Sequence, residues 1–198
     1  CSFCGGFKIT RDIFRRWMRV LAAVPGSVLW LLGGPEAMKR NLRAAAEADG
    51  VDGNRIVFAT RRPKHEHLSR HRLADLFLDT PLYSAHVSGM DALYLGVPIL
   101  TRRGDAFTGR VSATCLSVLG LPELITESFD DYEALAIALG RDPDRLAAIK
   151  ARLRKAVAES PLFHTREWVG EIERAYRGMW DIYAAGDRPR TFAVAEED

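Results

Sequence analysis

The sequence has little that would mark a specialised class of protein. Its 28 Lys and Arg stand against 26 Asp and Glu, a formal net charge of only +2 over 198 residues. Without a basic excess, a dedicated nucleic-acid binder is not expected. With 47% hydrophobic residues and so little net charge, neither is disorder. No uninterrupted apolar run approaches the roughly 18–20 residues of a membrane span, so no membrane partner is expected. The 3 cysteines, Cys1, Cys4 and Cys115, are too few and too irregular for a disulfide scaffold and suit a reducing, cytoplasmic setting. Cys1 and Cys4 form one CxxC that no second CxxC or CxxH accompanies, so they point to no zinc site and no metal is expected. A GxGxxG dinucleotide fingerprint and a GxxxxGK[ST] phosphate loop are both missing, as are repeats and low-complexity tracts. The chain opens on Cys1 with no leader-like segment, and is taken as a piece of a longer protein.

What is present is an alternation of helices and strands. Residues 10–24 carry Ile13, Phe14, Trp17, Val20, Leu21 and Val24 at helical spacing, between Thr10 as cap and Pro25-Gly26 as stop. Arg11, Arg15, Arg16 and Arg19 on the other face are expected to be solvated charge. A continuous apolar strand follows over residues 27–32, then a helix over 36–48. Next come a strand over 55–58, a helix over 63–73 and a strand over 76–78. The series ends with a helix over 89–95, a strand over 97–100, a helix over 110–119 and a strand over 123–125. Short strands separated by helices, with Gly and Pro between them, predict one doubly wound α/β domain with a parallel sheet over residues 1–127. Residues 128–186 turn wholly helical, with cap signals at Ser128 and Asp142-Pro143, and are expected to pack on that domain. Within them Trp168, Val169, Ile172, Ala175, Tyr176, Met179, Trp180 and Tyr183 make one apolar stripe. It either closes its own domain or packs across another that this chain lacks. Residues 187–198 form a polar tail expected to fray.

Ligands of open parallel sheets bind beyond the carboxyl ends of the strands, where free helix N-terminal amides favour anions. Three loops qualify, at residues 4–8, 61–67 and 79–91. In the last, Ser88 is expected to cap a helix whose amides face a diphosphate. His86 can donate to a phosphate or a sugar hydroxyl, and Asp91, one turn into the helix, can accept from ribose hydroxyls. Lys64, His67 and Arg70 share one helix face and could hold a ribose, a base and a phosphate. Lys8, after two glycines, is a cation able to take up charge on a leaving diphosphate. Each loop alone is equally well explained by ordinary capping or exposed charge; three loops on one sheet edge point to a nucleoside diphosphate.

The strings Ser27-Val28-Leu29-Trp30-Leu31-Leu32, Leu78-Asp79-Thr80-Pro81-Leu82 and His86-Val87-Ser88-Gly89-Met90-Asp91-Ala92-Leu93 resemble the C-terminal catalytic half of the O-linked N-acetylglucosamine transferases. So do Ser160-Pro161-Leu162-Phe163 and the ending Met179-Trp180-Asp181-Ile182-Tyr183-Ala184-Ala185-Gly186. The resemblance covers nearly the whole chain. The SPINDLY-type fucosyltransferases are similar but lack the His-x-x-Gly-Met-Asp form of residues 86–91. What the resemblance implies is one Rossmann-like half of a two-halved GT-B glycosyltransferase, preceded in the parent by the other half and tetratricopeptide repeats. Such an enzyme is inverting and metal-independent, and moves N-acetylglucosamine from UDP-GlcNAc to Ser or Thr of proteins. Carried over by motif, Lys8 would contact the diphosphate and assist the leaving group, Lys64 the ribose, His67 the uracil face and Arg70 the surrounding charge network. His86, Val87 and Ser88 would line the diphosphate and Asp91 the ribose. Two positions depart from the pattern: Val87 keeps the amide but lacks the usual Thr hydroxyl, and Gly5 replaces a Gln common in animal members. A non-catalytic nucleotide-binding or interaction module is the alternative, and an epimerase on the same fold a weaker third. Alanine and arginine richness suggests a bacterial source.

Overall fold

The structure, a computed structural model, describes residues 1–194. The last residues of the expected tail, 195–198, lie outside the described residues, and 187–194 form neither helix nor strand. The chain divides into two compact units, Cys1–Ala158 and Glu159–Asp198.

The first unit is built on parallel strands. β1 (Leu29–Leu32) pairs with β2 (Ile56–Ala59) in the register Leu29 with Ile56. β3 (Phe77–Leu78), β4 (Ile99–Arg102) and β5 (Ile125–Thr126) form a second set, with Phe77 opposite Ile99 and Thr101 opposite Ile125. Residues 1–3 join the two. Ser2 bridges Leu31 in parallel and donates its N–H to the Trp30 carbonyl at 2.9 Å, while Leu78 donates to the Cys1 carbonyl at 2.7 Å. Across the sheet the order is therefore β2, β1, residues 1–3, β3, β4, β5. Counted along the chain this is 3-2-1-4-5-6, the Rossmann order, with its switch point between residues 1–3 and β3. The sequence offers no pattern for that first strand, which is too short for periodicity.

The helices arise largely where expected. They are α1 (Arg11–Ala23), α2 (Glu36–Ala48), α3 (Lys64–Arg70), α4 (Val87–Tyr94), α5 (Val111–Val118), α6 (Phe129–Arg141) and α7 (Pro143–Glu159). α2 has the predicted bounds; α3 gives way at His71 to a 3-10 turn, and the last strand starts at Ile125 because Pro122–Leu124 is also such a turn. Thr10, Ser128 and Asp142 accept the amides of Ile13, Asp131 and Arg145, which satisfies otherwise orphaned helix donors. α1 buries Ile13, Phe14, Trp17, Met18, Val20 and Leu21 against a core shared with Leu29, Leu31, Ile56, Tyr132 and Ala136. Its arginine face is not simply solvated: Arg16 and Arg19 both bond Glu133 of α6, Arg16 also reaches Asp130 at 2.8 Å, and its guanidinium lies over Phe129.

A cavity of about 490 Å³ opens at the amino ends of the strands, lined by Trp17, Val24, Leu29, Leu76, Leu139 and Leu146 among others. Its lining is mainly apolar, with Asp75 and Lys150 as charged members, and it shares no loop with the polar constellation.

In the second unit, Ser160 caps the turn Pro161–Phe163, its Oγ accepting from Leu162, and α8 (Thr165–Ala184) follows. The stripe read from the sequence is present as an exposed face carrying Trp168, Val169, Tyr176, Met179, Trp180 and Tyr183. Among the described residues no helix is long and apolar enough to cross a membrane.

Candidate functional site

The two chain segments that flank the switch point, after residue 3 and after β3, run directly into the loops singled out in the sequence. The first carries Lys8 on the 3-10 turn Gly6–Lys8. Its ammonium donates to the Ser84 carbonyl at 2.9 Å and lies 4.0 Å from the Tyr83 ring centroid. Lys8 is thus brought onto the second loop, some 76 residues along the chain.

That second loop is folded around Asp79. The wholly buried carboxylate accepts the amides of Thr80 at 2.8 Å and Ala85 at 2.7 Å on Oδ1, and the Thr101 hydroxyl at 2.7 Å on Oδ2. Thr80 Oγ1 donates to the Tyr83 carbonyl. The loop before α5 locks against it through a single acceptor, the Thr108 carbonyl, which takes the Ser84 N–H, the Ser84 hydroxyl and His86 Nε2–H at 2.8, 2.9 and 3.2 Å. His86 stacks on Tyr83, rings 4.9 Å apart and 15° from parallel. Gly109 permits this approach: a Cβ there would sit 2.7 Å from the Pro81 carbonyl oxygen.

α4 differs from the sequence expectation. It begins at Val87, so His86 rather than Ser88 occupies the cap position, and no side-chain cap bond is made there. The Asp79 clamp on Ala85 turns the chain into the helix earlier than a capping Ser would, which leaves Ser88 inside the first turn. Its hydroxyl instead faces Cys4 Sγ at 3.8 Å. The first-turn amides of α4 are therefore available to an anion at the mouth of the site. Val87 is exposed there, 71% of its surface open. Burial, with Asp79 next, pushes the Cys4 thiol up, so it stays protonated and acts as packing rather than as a ligand or nucleophile.

On the other side of α4, Asp91 forms an ion pair with Lys64 at the start of α3, and the two residues expected to share a ribose are neighbours. His67, one turn along α3, sits in an aromatic cluster, its ring 5.4 Å from Phe3 and 5.0 Å from His71. Burial lowers its proton affinity, and the neighbouring His71 and Arg70 lower it further, which favours the neutral ring. His71 is fully buried and, again chiefly by desolvation, held neutral; it donates Nδ1–H to the His67 carbonyl at 3.0 Å. Arg70 donates to the Thr60 carbonyl at 2.9 Å.

The structure thus gathers Lys8, His86, Val87 and Ser88 around one loop and Lys64, His67 and Asp91 around the adjoining helix face. Sequence reasoning missed four supporting residues. Phe3 and His71 hold the His67 ring but lie far apart in the chain. Thr108 acts through its carbonyl, which no side-chain motif reports. Asp79 was legible only as an acid at a strand end. Among the described residues no group of three or more His, Cys, Asp or Glu is placed to hold a metal ion.

Comparison with known proteins bears on this geometry. The profile of glycosyl transferase family 41 matches residues 1–172. The chain is similar to a protein described as a probable UDP-N-acetylglucosamine–peptide N-acetylglucosaminyltransferase SEC of Arabidopsis thaliana, 37% identical over 97% of this chain and 20% of that one. A Caenorhabditis elegans UDP-N-acetylglucosamine–peptide N-acetylglucosaminyltransferase is 36% identical over 94% of this chain and 16% of its own length. A probable SPINDLY protein of Eustoma exaltatum is 32% identical over 95% and 21%. Among solved structures, a mutant O-GlcNAc transferase of Thermobaculum terrenum superposes with a TM-score of 0.84 at 30% identity, covering 90% of this chain and 35% of that one. The chain spans about a fifth of the length of the curated relatives it matches.

Proposed function

The chain belongs to glycosyl transferase family 41, and on that premise we propose that it is the UDP-sugar-binding half of a protein O-glycosyltransferase, moving N-acetylglucosamine from UDP-GlcNAc to Ser or Thr hydroxyls. The observation that carries this reading is the meeting of Lys8, the open start of α4 and the Lys64–Asp91 pair at the sheet's switch point, where α/β sheets bind their ligands.

The residues divide the donor between them. His67 offers a neutral ring to the uracil face, and Lys64 with Asp91 offers a donor and an acceptor to the ribose hydroxyls; Arg70 contributes positive charge behind them. His86, Val87 and Ser88 line the diphosphate, the last two through backbone amides, which is why a valine is tolerated. In the transfer step the acceptor hydroxyl attacks the anomeric carbon on the face opposite UDP. The bond from that carbon to the diphosphate oxygen breaks with its electron pair on the oxygen, and the hydroxyl proton leaves to a base. Lys8 and the α4 amides take up the charge that develops on UDP, a preorganised contribution whose loss typically costs about 10²–10³ in rate. The base, the acceptor surface and the rest of the sugar pocket belong to the remainder of a longer, cytoplasmic, bacterial-type protein with a facing catalytic half and tetratricopeptide repeats. The short span of this chain relative to its relatives supports that placement.

Titration calorimetry of the chain with UDP, UMP and GDP tests the reading. UDP is expected to bind more tightly than either, and His67→Ala, Asp91→Ala and Lys8→Ala each to weaken it. Equal or absent binding of all three nucleotides would mean a module kept for interaction rather than for donor binding.

A further inference from the structure

We propose that Asp79 is a positioning residue for the diphosphate side of the site, an inference that rests on the donor-binding reading above. Its side chain is wholly buried, and among the described residues it has no ion-pair partner; three neutral donors hold it instead. An ionised carboxylate in such a place is costly unless its oxygens are fully used. The Thr80 amide belongs to the next residue and by itself encloses no loop. The Ala85 amide lies six residues away, so bonding both ties residues 79–85 into one ring.

That ring contains the anchors of the phosphate-side groups. Ser84 receives the Lys8 ammonium, Tyr83 lies beneath it, and Ala85 immediately precedes His86 and the open amides of α4. Thr101 on β4 fixes the second carboxylate oxygen, and Tyr132 fixes the backbone of the same residue by donating to the Asp79 carbonyl at 3.0 Å. Asp79 is thus held at both ends and in turn sets the direction of Lys8, His86 and the Val87 and Ser88 amides. Of the uridine-side groups, His67 rests on Phe3 and His71 and Lys64 on α3, while Asp91 lies one turn further along α4 from the amides at its start. A loosened ring should therefore affect a diphosphate far more than a nucleoside monophosphate.

The test uses the full chain as wild type, Asp79→Ala and Asp79→Asn, in amide hydrogen exchange and in calorimetry with UDP and UMP. In Asp79→Ala, exchange over residues 80–88 should accelerate about tenfold or more while α2 stays unchanged. UDP affinity should fall by about tenfold and UMP affinity by no more than about twofold. Asp79→Asn retains Oδ1 for both amides, while Thr101 can turn its hydroxyl to accept from the new amide, so both quantities should return to within about threefold of wild type. If the alanine variant does not fold, Asp79→Ser, which can reach the Thr80 amide but not Ala85, is scored by the same measures. Unchanged loop exchange, acceleration that extends equally to α2, equal loss of UDP and UMP, or no rescue by Asn would each overturn the proposal. A wild-type chain that binds neither nucleotide would instead overturn the donor-site reading, and the exchange measurement, which needs no nucleotide, would still decide the clamp.

Discussion

Replacing Tyr132 by Phe removes one oxygen from the centre of the first unit and so isolates a hydrogen-bond relay. In the wild type the hydroxyl accepts from Trp17 Nε1–H at 3.1 Å and donates to the Asp79 carbonyl at 3.0 Å, and both aromatic residues are fully buried. Burial keeps this phenol protonated far above the usual range, so it can act as donor throughout the physiological window. Without it, a buried indole N–H and a carbonyl lose their partners. An orphaned buried donor costs roughly 1–3 kcal/mol and the weaker claim of a carbonyl somewhat less, giving about 2–4 kcal/mol in all. For a chain of this size that corresponds to a fall in Tm of roughly 5–15 °C. Calorimetric or circular-dichroism melts of the wild type, Tyr132→Phe, Trp17→Phe and the double variant measure it. The two costs should add to more than the double variant shows, since removing the indole N–H removes one of the orphans. A Tyr132→Phe Tm within about 2 °C of wild type, or strictly additive losses, would refute the argument.

The buried imidazoles give a signed pH dependence. His67 and His71 both bind protons less readily in the fold than in the unfolded chain, so the penalty is absent above the ordinary value of about 6.5 and grows as pH falls below it. Tm should therefore drop between about pH 7.5 and 5.5, where carboxylates are still ionised, and His71→Phe should flatten the slope; a level or rising wild-type profile would contradict this. Gly109→Ala places a methyl against the Pro81 carbonyl and should cost about 1–3 kcal/mol, whereas Gly170→Ala in α8, which meets only the tip of Arg174, should leave Tm unchanged or raise it. Equal melts for the two alanine variants would count against the close loop contact.

Much of this fold could be read from the chain because each local signal agreed with the packing. α2 appears with its expected bounds, and Thr10, Ser128 and Asp142 cap the helices they precede, since a short polar side chain before an apolar period has few better uses. What escaped depends on partners distant in sequence. Residues 1–3 are a strand only because β1 and β3 each leave an edge beside them. Ser88 carries the residue type of a cap, yet the bond from Asp79 to Ala85 moves the helix start and the cap position passes to His86. Arg16 and Arg19 of α1 looked solvated because Glu133, their shared acceptor, lies more than a hundred residues on. At the site, the side chains facing a ligand were recognisable by type, whereas the groups that aim them, Asp79, Thr108, Phe3 and His71, act through burial or backbone and leave no motif.

The strand formed by residues 1–3 has a mechanical side. Ser2 bonds Trp30 on one side, and on the other the Cys1 amino group donates to the Leu76 carbonyl while the Cys1 carbonyl accepts from Leu78, so residues 1–3 are the seam along which the β1–β2 and β3–β5 sets meet. One hydrophobic core spans it, with Leu29, Leu31 and Ile56 on one side and Leu78 and Leu100 on the other. Lys8 springs from one lip of the seam and fastens to Ser84 on the other. A ligand bridging those lips would act as a further stitch, adding to the bonds that already join the two panels.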